Sequence, residues 1–158
     1  YLAGAKESDI RDALRERQIR VEEVDWQKIH LLGDLGSEKL TDYYNLCDVF
    51  CMPSYFEAYG LVFAEALTYG LPCIGRDKFA MSEFIEDGCT GRRISGEGAE
   101  ELALDLWEVL QDPKYREEVE RRREWYLREY SWDKVAQRIC SVMEKNERDK
   151  YQYRSAGV

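Results

Sequence analysis

The chain has no excess of basic residues, no long apolar run, a single histidine and only three prolines. Each scarcity excludes something. With 32 acidic against 23 basic residues the formal charge is -9, and binding a phosphate backbone needs a basic face, so a nucleic-acid surface is excluded. An anionic ligand would have to be held locally, by backbone amides or a few chosen cations. No apolar run approaches the roughly 20 residues of a membrane span, and the first residues lack a signal peptide's basic and apolar regions, which predicts a soluble, cytoplasmic protein. His30, beside Leu31 and Leu32, would have to carry any histidine-centred triad alone, and a structural role is expected for it. Cys47, Cys51, Cys73, Cys89 and Cys140 are odd in number and contain no C-x-x-C pair, which predicts reduced core thiols rather than disulfides or a metal site.

What is present reads as one domain over residues 1–158, since a chain of this length with 44% hydrophobic residues can bury one core but scarcely two. "YLAG" is expected to be a short strand truncated at its start, so that the chain begins inside a fold. The charged helical pattern "SDIRDALRERQ" follows, then the strand "KIHLLGDL" closing at Gly33. "SEKLTDYYNLCD" spaces Leu40, Tyr43, Tyr44 and Leu46 as a helix behind a Ser37 cap. "VFCMP" is a continuous apolar strand of the kind that parallel sheets bury on both faces. The next helix is predicted from about Gly60 to Tyr69, followed by the strand "PCIG", then a short helix, a Gly-rich turn and a last short strand within "MSEFIEDGCTGRRI". Strand and helix alternating in this way imply an α/β fold with a doubly wound parallel sheet.

The C-terminal third is helical. Leu102, Leu106, Trp107 and Leu110 are expected along one apolar stripe, Pro113 opens another helix through about Tyr130, and Ser131 caps a last one beginning "WDKVAQRI". The mixed charges of "REEVERRREWYLRE" read as a solvated face with helical ion pairs. The terminal stretch 131–158 is thus a helix whose tail, "NERDKYQYRSAGV", has little to pack and is expected to fray.

Two carboxylates stand inside the apolar run "SYFEAYGLVFAEALTYGLP". Ligands of doubly wound sheets bind beyond the carboxyl ends of the strands, which puts Glu57, in the loop after "VFCMP", at such an end. Gly60 opens the helix, so the amides of Gly60, Leu61 and Val62 together with the helix dipole favour an anion such as a phosphate. Glu65 lies among Leu61, Val62, Phe63, Ala64, Ala66 and Leu67, where burial is expected on all sides. A carboxylate there costs several kcal/mol unless hydrogen-bonded, and paired sugar hydroxyls are suitable donors. The competing expectation is that Glu65 pairs with an internal arginine and Glu57 is an ordinary loop acid.

The stretch "PSYFEAYGLVFAEALTYGLPCIG" resembles the E-x7-E signature of the large retaining, group 1 family of glycosyltransferases with the GT-B architecture. "LLGDLGSEKLTDYYNLCDVFCMPS" is similar to the family's preceding strand, helix and strand, "SEFIEDGCTGRRI" to its following segment, and "YSWDKVAQRI" to its C-terminal helix. The resemblance implies a Rossmann-like domain with C-terminal helices, the donor-binding C-terminal half of such an enzyme. It implies that Glu57, assigned to the catalytic site, holds donor-sugar hydroxyls, that the backbone of Ala58, Tyr59, Gly60 and Leu61 binds sugar and diphosphate, and that Glu65 binds the ribose. Gly33, Leu35, Met52, Pro53 and Ser54 would line the base pocket. No metal and no other cofactor is implied. The partners implied are a nucleoside-diphosphate sugar and an acceptor glycan or lipid-linked sugar bound by an absent N-terminal domain, through which any membrane contact would also come. Transfer would retain the anomeric configuration, resting on stabilisation of the departing diphosphate without a protein nucleophile.

The chain departs from the family at Tyr59, where phenylalanine is usual, and at Phe79, Ala80 and Ser82, where many members carry a Gly-Gly pair and then proline. The family's diphosphate-clamping arginine and lysine would lie upstream of "YLAG". Arg76 and Lys78 are nearby cations without a motif match. A non-catalytic nucleotide-sugar-binding or protein-interaction module of the same fold, and a sugar-nucleotide epimerase, are the alternatives.

Overall fold

The structure, a computed structural model, describes the backbone of residues 1–96 and 98–155 and, within that range, the side chains outside 146–155. The chain divides into two units, Tyr1–Leu46 and Cys47–Val158.

In the first unit, β1 (Leu2–Ala3) leads into α1 (Glu7–Glu16), two 3₁₀ turns (Val21–Glu23 and Trp26–Lys28), β2 (Leu31–Gly33) and α2 (Ser37–Leu46). The strands β1 and β2 pair in parallel, as a strand–helix–strand crossover requires. Trp26 is fastened by its indole N–H to the Val21 carbonyl at 3.1 Å, with the Arg11 guanidinium 4.4 Å over its ring. His30 stacks on Tyr1 with ring centroids 5.0 Å apart, in keeping with the structural role expected of it. Ser37 is itself the first helical residue of α2, and the Gly36 carbonyl accepts the Leu40 amide at 3.0 Å.

The second unit runs β3 (Phe50–Met52), α3 (Leu61–Thr68), β4 (Cys73–Arg76), α4 (Met81–Phe84), β5 (Gly91–Ile94), α5 (Ala99–Gln111), α6 (Lys114–Glu129) and α7 (Trp132–Ser155). Its three strands are parallel in the order β3-β4-β5. All four residues of β4 are buried, because β4 is paired on both edges. Side chains alternate across it. Ile74 joins Ile94, Val109 and Tyr115 in a core on the α5 side, while Cys73 and Gly75 lie against Phe63 of α3. Helices therefore cover both faces of this sheet, the doubly wound arrangement that the alternation of elements predicts.

Several expectations need correction. β3 is only half-buried, because it is an edge strand of the three-stranded sheet. On α5 the buried positions are Asp105 and Val109, with Leu102 and Leu106 packed beside them, whereas Trp107 and Leu110 are 65% and 51% exposed. The helical period places Asp105 on the inner stripe, and the Arg92 guanidinium meets it there at 3.1 Å. That bond holds Arg92 firmly protonated, its pKa raised chiefly by the Asp105 carboxylate. The basic side of α6 is not merely solvated: Arg122 reaches Glu86 at 2.5 Å, and Arg123 donates to the Thr68 carbonyl at 2.8 Å, the C-terminal end of α3. All five cysteines are free thiols, but Cys140 is exposed and only Cys73 is fully buried. Ser131 does cap α7, its hydroxyl accepting the Lys134 amide at 3.2 Å. That helix continues through Ser155, and the last three residues of the tail expected to fray lie outside the described residues. Among the described residues no helix is long and apolar enough to cross a membrane.

Candidate active site

The site is built where β3 ends. Met52, Pro53 and Ser54, all half-buried, carry the chain off the sheet into a loop that returns at Gly60 to start α3. Gly60 has φ +74°, the left-handed region that side chains disfavour, and a Cβ there would meet Phe63 Cδ2 at 3.0 Å and Glu57 Cγ at 3.2 Å. Glycine is thus needed first for this turn and its packing. The half-buried Glu57 folds back over the turn, and its Oε1 accepts the Gly60 amide at 3.1 Å. That carboxylate occupies one of the three amides expected to receive an anion. The amides of Leu61 and Val62, the first two of the helix, have no acceptor within it.

Glu65 overturns the burial argument. It is exposed, and the buried residues of α3 are Phe63, Ala64, Ala66 and Leu67. Leu61, one turn earlier on the same side, is 61% exposed, so α3 is apolar in composition yet buries only one face. Glu65 therefore needs no sugar to offset desolvation, and a place for it in a binding site rests on position rather than on burial.

The loop is held by a side chain whose role the sequence did not disclose. Arg76, 7% exposed at the end of β4, donates from Nε to the Pro53 carbonyl at 3.0 Å and from a terminal nitrogen to the Gly96 carbonyl at 2.7 Å. Its guanidinium lies 4.1 Å over the ring of Tyr55. Arg76 is therefore a brace between the ends of β3 and β5. An arginine directly after the apolar strand "PCIG" was the available signal. Its neighbour Lys78 is exposed.

Aromatic side chains cover the loops. Phe56 and Phe79 meet edge to face at 5.3 Å, and Tyr59 meets Phe84 likewise at 5.7 Å. Phe79 has φ +54°, so the backbone here takes the conformation a glycine accepts freely, at a cost to phenylalanine of about 1–2 kcal/mol. Phe79 thus holds a left-handed turn at the place where the sequence carries Phe79 and Ala80 instead of a Gly-Gly pair. Beside the loop, burial pushes the Cys51 thiol up to about 11 and raises Cys73 further, so neither supplies a thiolate near neutral pH.

Met52 through Leu61 is thus one continuous feature of the second unit, whereas Gly33, at the end of β2, and Leu35, half-buried between β2 and α2, belong to the first unit. Two concavities of the second unit are formed by other residues. One, of about 860 Å³, lies among Asp48, Pro72, Val109 and Pro113 at the amino-terminal end of the sheet. The other, of about 450 Å³, lies among Phe84, Arg93, Arg122, Trp125 and Tyr130. Among the described residues no group of three or more His, Cys, Asp or Glu is arranged to hold a metal ion.

Parallel strands with helices on both faces, and a glycine-opened helix beyond a strand's carboxyl end, define a Rossmann-like α/β protein. The family model for glycosyl transferases group 1 matches residues 16–125, and the chain belongs to that family. It is 32% identical over 98 residues to the D-inositol 3-phosphate glycosyltransferase of Kribbella flavida, covering 62% of this chain and 23% of that protein. It is 29% identical over 122 residues to the lipopolysaccharide 1,2-N-acetylglucosaminetransferase of Salmonella typhimurium, covering 76% and 32%. The chain thus spans roughly a quarter to a third of the length of these relatives. Among solved structures, sucrose-phosphate synthase from Thermosynechococcus elongatus shares the fold with a TM-score of 0.71 at 22% identity, over 90% of this chain and 34% of that one. HepE of Anabaena, in complex with UDP-glucose, does so with a TM-score of 0.69 at 18% identity, over 88% and 38%.

Proposed function

We propose that this chain is the donor-binding, C-terminal half of a retaining hexosyltransferase that moves a sugar from a nucleoside-diphosphate sugar to a glycan or lipid-linked acceptor. One observation carries the reading: in a chain of the group 1 family, the helix that opens at Gly60 stands at the carboxyl end of β3 with Glu57 folded over the Gly60 amide.

In this reading the amides of Leu61 and Val62 and the positive end of α3 receive the diphosphate. Glu57 holds donor-sugar hydroxyls from the same turn, and Ala58 and Tyr59 contribute backbone to that pocket. Glu65, exposed one turn into the helix, takes the ribose hydroxyls, and Met52, Pro53 and Ser54 contact the base. As the glycosidic bond breaks, negative charge grows on the departing diphosphate, and donors already aimed at it lower the barrier without a protein nucleophile or a metal. In this reading an N-terminal domain binds the acceptor, and the cationic clamp lies in the donor domain upstream of "YLAG", while Arg76 is engaged by the Pro53 and Gly96 carbonyls. The work of such an enzyme is cytoplasmic.

The test is calorimetric titration of the full-length protein with UDP-, GDP- and ADP-sugars. One of them binds, and Glu65→Ala weakens it about tenfold, roughly the loss of a hydrogen bond to a charged group. Absence of binding by all three, or an unchanged affinity in the variant, rejects the assignment.

A further inference from the structure

Phe56 and Phe79 come from the loops after β3 and β4, adjacent parallel strands, and these loops stand at the carboxyl ends where open α/β sheets bind ligands. Both rings are exposed, 71% and 54%, although their edge-to-face contact at 5.3 Å excludes water between them. Phe79 is held at φ +54° by its own loop, its carbonyl accepting the Ser82 hydroxyl at 2.8 Å. A large apolar side chain in a conformation that opposes it, aimed at solvent rather than into the core, does not serve packing. Phe56 directly precedes Glu57, so the aromatic pair rises from the loop that carries the acid assigned to the sugar and from the loop after the adjacent strand.

From these features, and resting on the donor-binding reading above, we propose that Phe56 and Phe79 form the apolar wall of the sugar pocket. The wall takes a neutral hexose by the face that carries its C–H groups, while Glu57 takes hydroxyls from the ring's edge. Charge narrows the choice further. A uronosyl donor would bring a second carboxylate beside Glu57, and Arg76, the cation that braces this loop, is engaged by the Pro53 and Gly96 carbonyls. Lys78, the remaining cation of the loop, is exposed to solvent and keeps its hydration. The pair therefore favours uncharged hexosyl donors over uronosyl donors of the same nucleotide.

The experiment uses full-length protein and three probes of one base, chosen from UDP, GDP and ADP as the diphosphate that binds: the free diphosphate, its glucose ester and its glucuronate ester. The parent prefers the glucosyl to the glucuronosyl donor by about tenfold, and Phe56→Ala with Phe79→Gly reduces that preference to about twofold while the free diphosphate binds within about twofold of the parent. Phe56→Leu, which keeps apolar bulk without a ring, gives an intermediate preference. A preference unchanged in the double variant, or a parent that favours the glucuronosyl donor, overturns the aromatic wall alone. A parent that binds no diphosphate overturns the donor-binding reading and the wall with it. Both rings are exposed, so far-ultraviolet circular dichroism of the variants should match the parent, and a lost signal would overturn the claim that Phe79 serves no packing role.

Discussion

The Glu57 carboxylate accepts the backbone amide of Gly60 at 3.1 Å, three residues on and at the entrance to α3. A side chain set apart in the sequence as a ligand-binding acid thus also closes the turn that starts the helix. The two roles separate under substitution. Glu57→Gln keeps an acceptor oxygen for the Gly60 amide but removes the charge, so transfer by full-length protein should fall at least about tenfold while the thermal midpoint is unchanged. A matching fall in the midpoint would mean that the residue acts mainly through the turn.

Gly60→Ala places a Cβ in the left-handed region and against Phe63 Cδ2 at 3.0 Å. It should cost about 1–2 kcal/mol in urea-induced unfolding. An unchanged midpoint would show that the turn at Gly60 relaxes.

Gly91 lies where β5 runs beside β4, and an added Cβ would stand 1.8 Å from the Cys73 carbonyl oxygen. Backbone cannot yield as a flexible side chain does, so Gly91→Ala should abolish soluble expression. Gly36→Ala, with nothing within 4 Å of the new atom, should leave stability within about 0.5 kcal/mol. Recovery of folded Gly91→Ala protein would show that β4 and β5 tolerate separation.

Arg76→Met leaves the Pro53 and Gly96 carbonyls without their guanidinium and should destabilise the protein by about 2–4 kcal/mol. Arg76→Lys should recover only part of this, because one ammonium cannot reproduce the planar fork. Amide hydrogen exchange should quicken at residues 54–56 in both variants. Exchange unchanged there would contradict the brace.

Stability should also decline in alkali. Burial raises Cys51 from an ordinary thiol value of 9.0 to about 11 and Tyr130 from 10.0 to about 12, so the folded chain holds these protons more tightly than the unfolded one. Below pH 9 both states are neutral and the stabilisation is whole. Above it the unfolded chain ionises first and binds fewer protons, so stability falls with pH until the folded groups ionise in turn. For Cys51 the full loss is roughly 2–3 kcal/mol between pH 9 and 11. Guanidinium unfolding at pH 7, 9 and 11 measures it, and Cys51→Val should flatten the first part of the decline. An equally steep decline in that variant would assign it to other groups.

The elements of this fold were legible because their signals are local. A glycine before a mostly apolar helix starts α3, Pro113 precedes α6 and Ser131 caps α7, each through hydrogen bonds or dihedral angles spanning a few residues. The family, too, follows from ordered short motifs. Which side of a helix is buried was not legible where composition hid the periodicity. α3 is apolar nearly throughout, so its residues alone place Glu65 in the interior, and only packing of Phe63 and Leu67 against the sheet turns Glu65 outward. On α5 the reverse occurred, with Asp105 drawn inward because Arg92, 13 residues away, meets it.

The sequence by itself therefore determined the strand–helix order, the glycine-opened start of α3 and the family. Tertiary structure alone decided that Arg76 braces the loop instead of facing a ligand, and that Phe79 reaches Phe56 across two strands. Those outcomes depend on carbonyls and rings brought together from positions 20 or more residues apart, and local preference carries no information about such meetings.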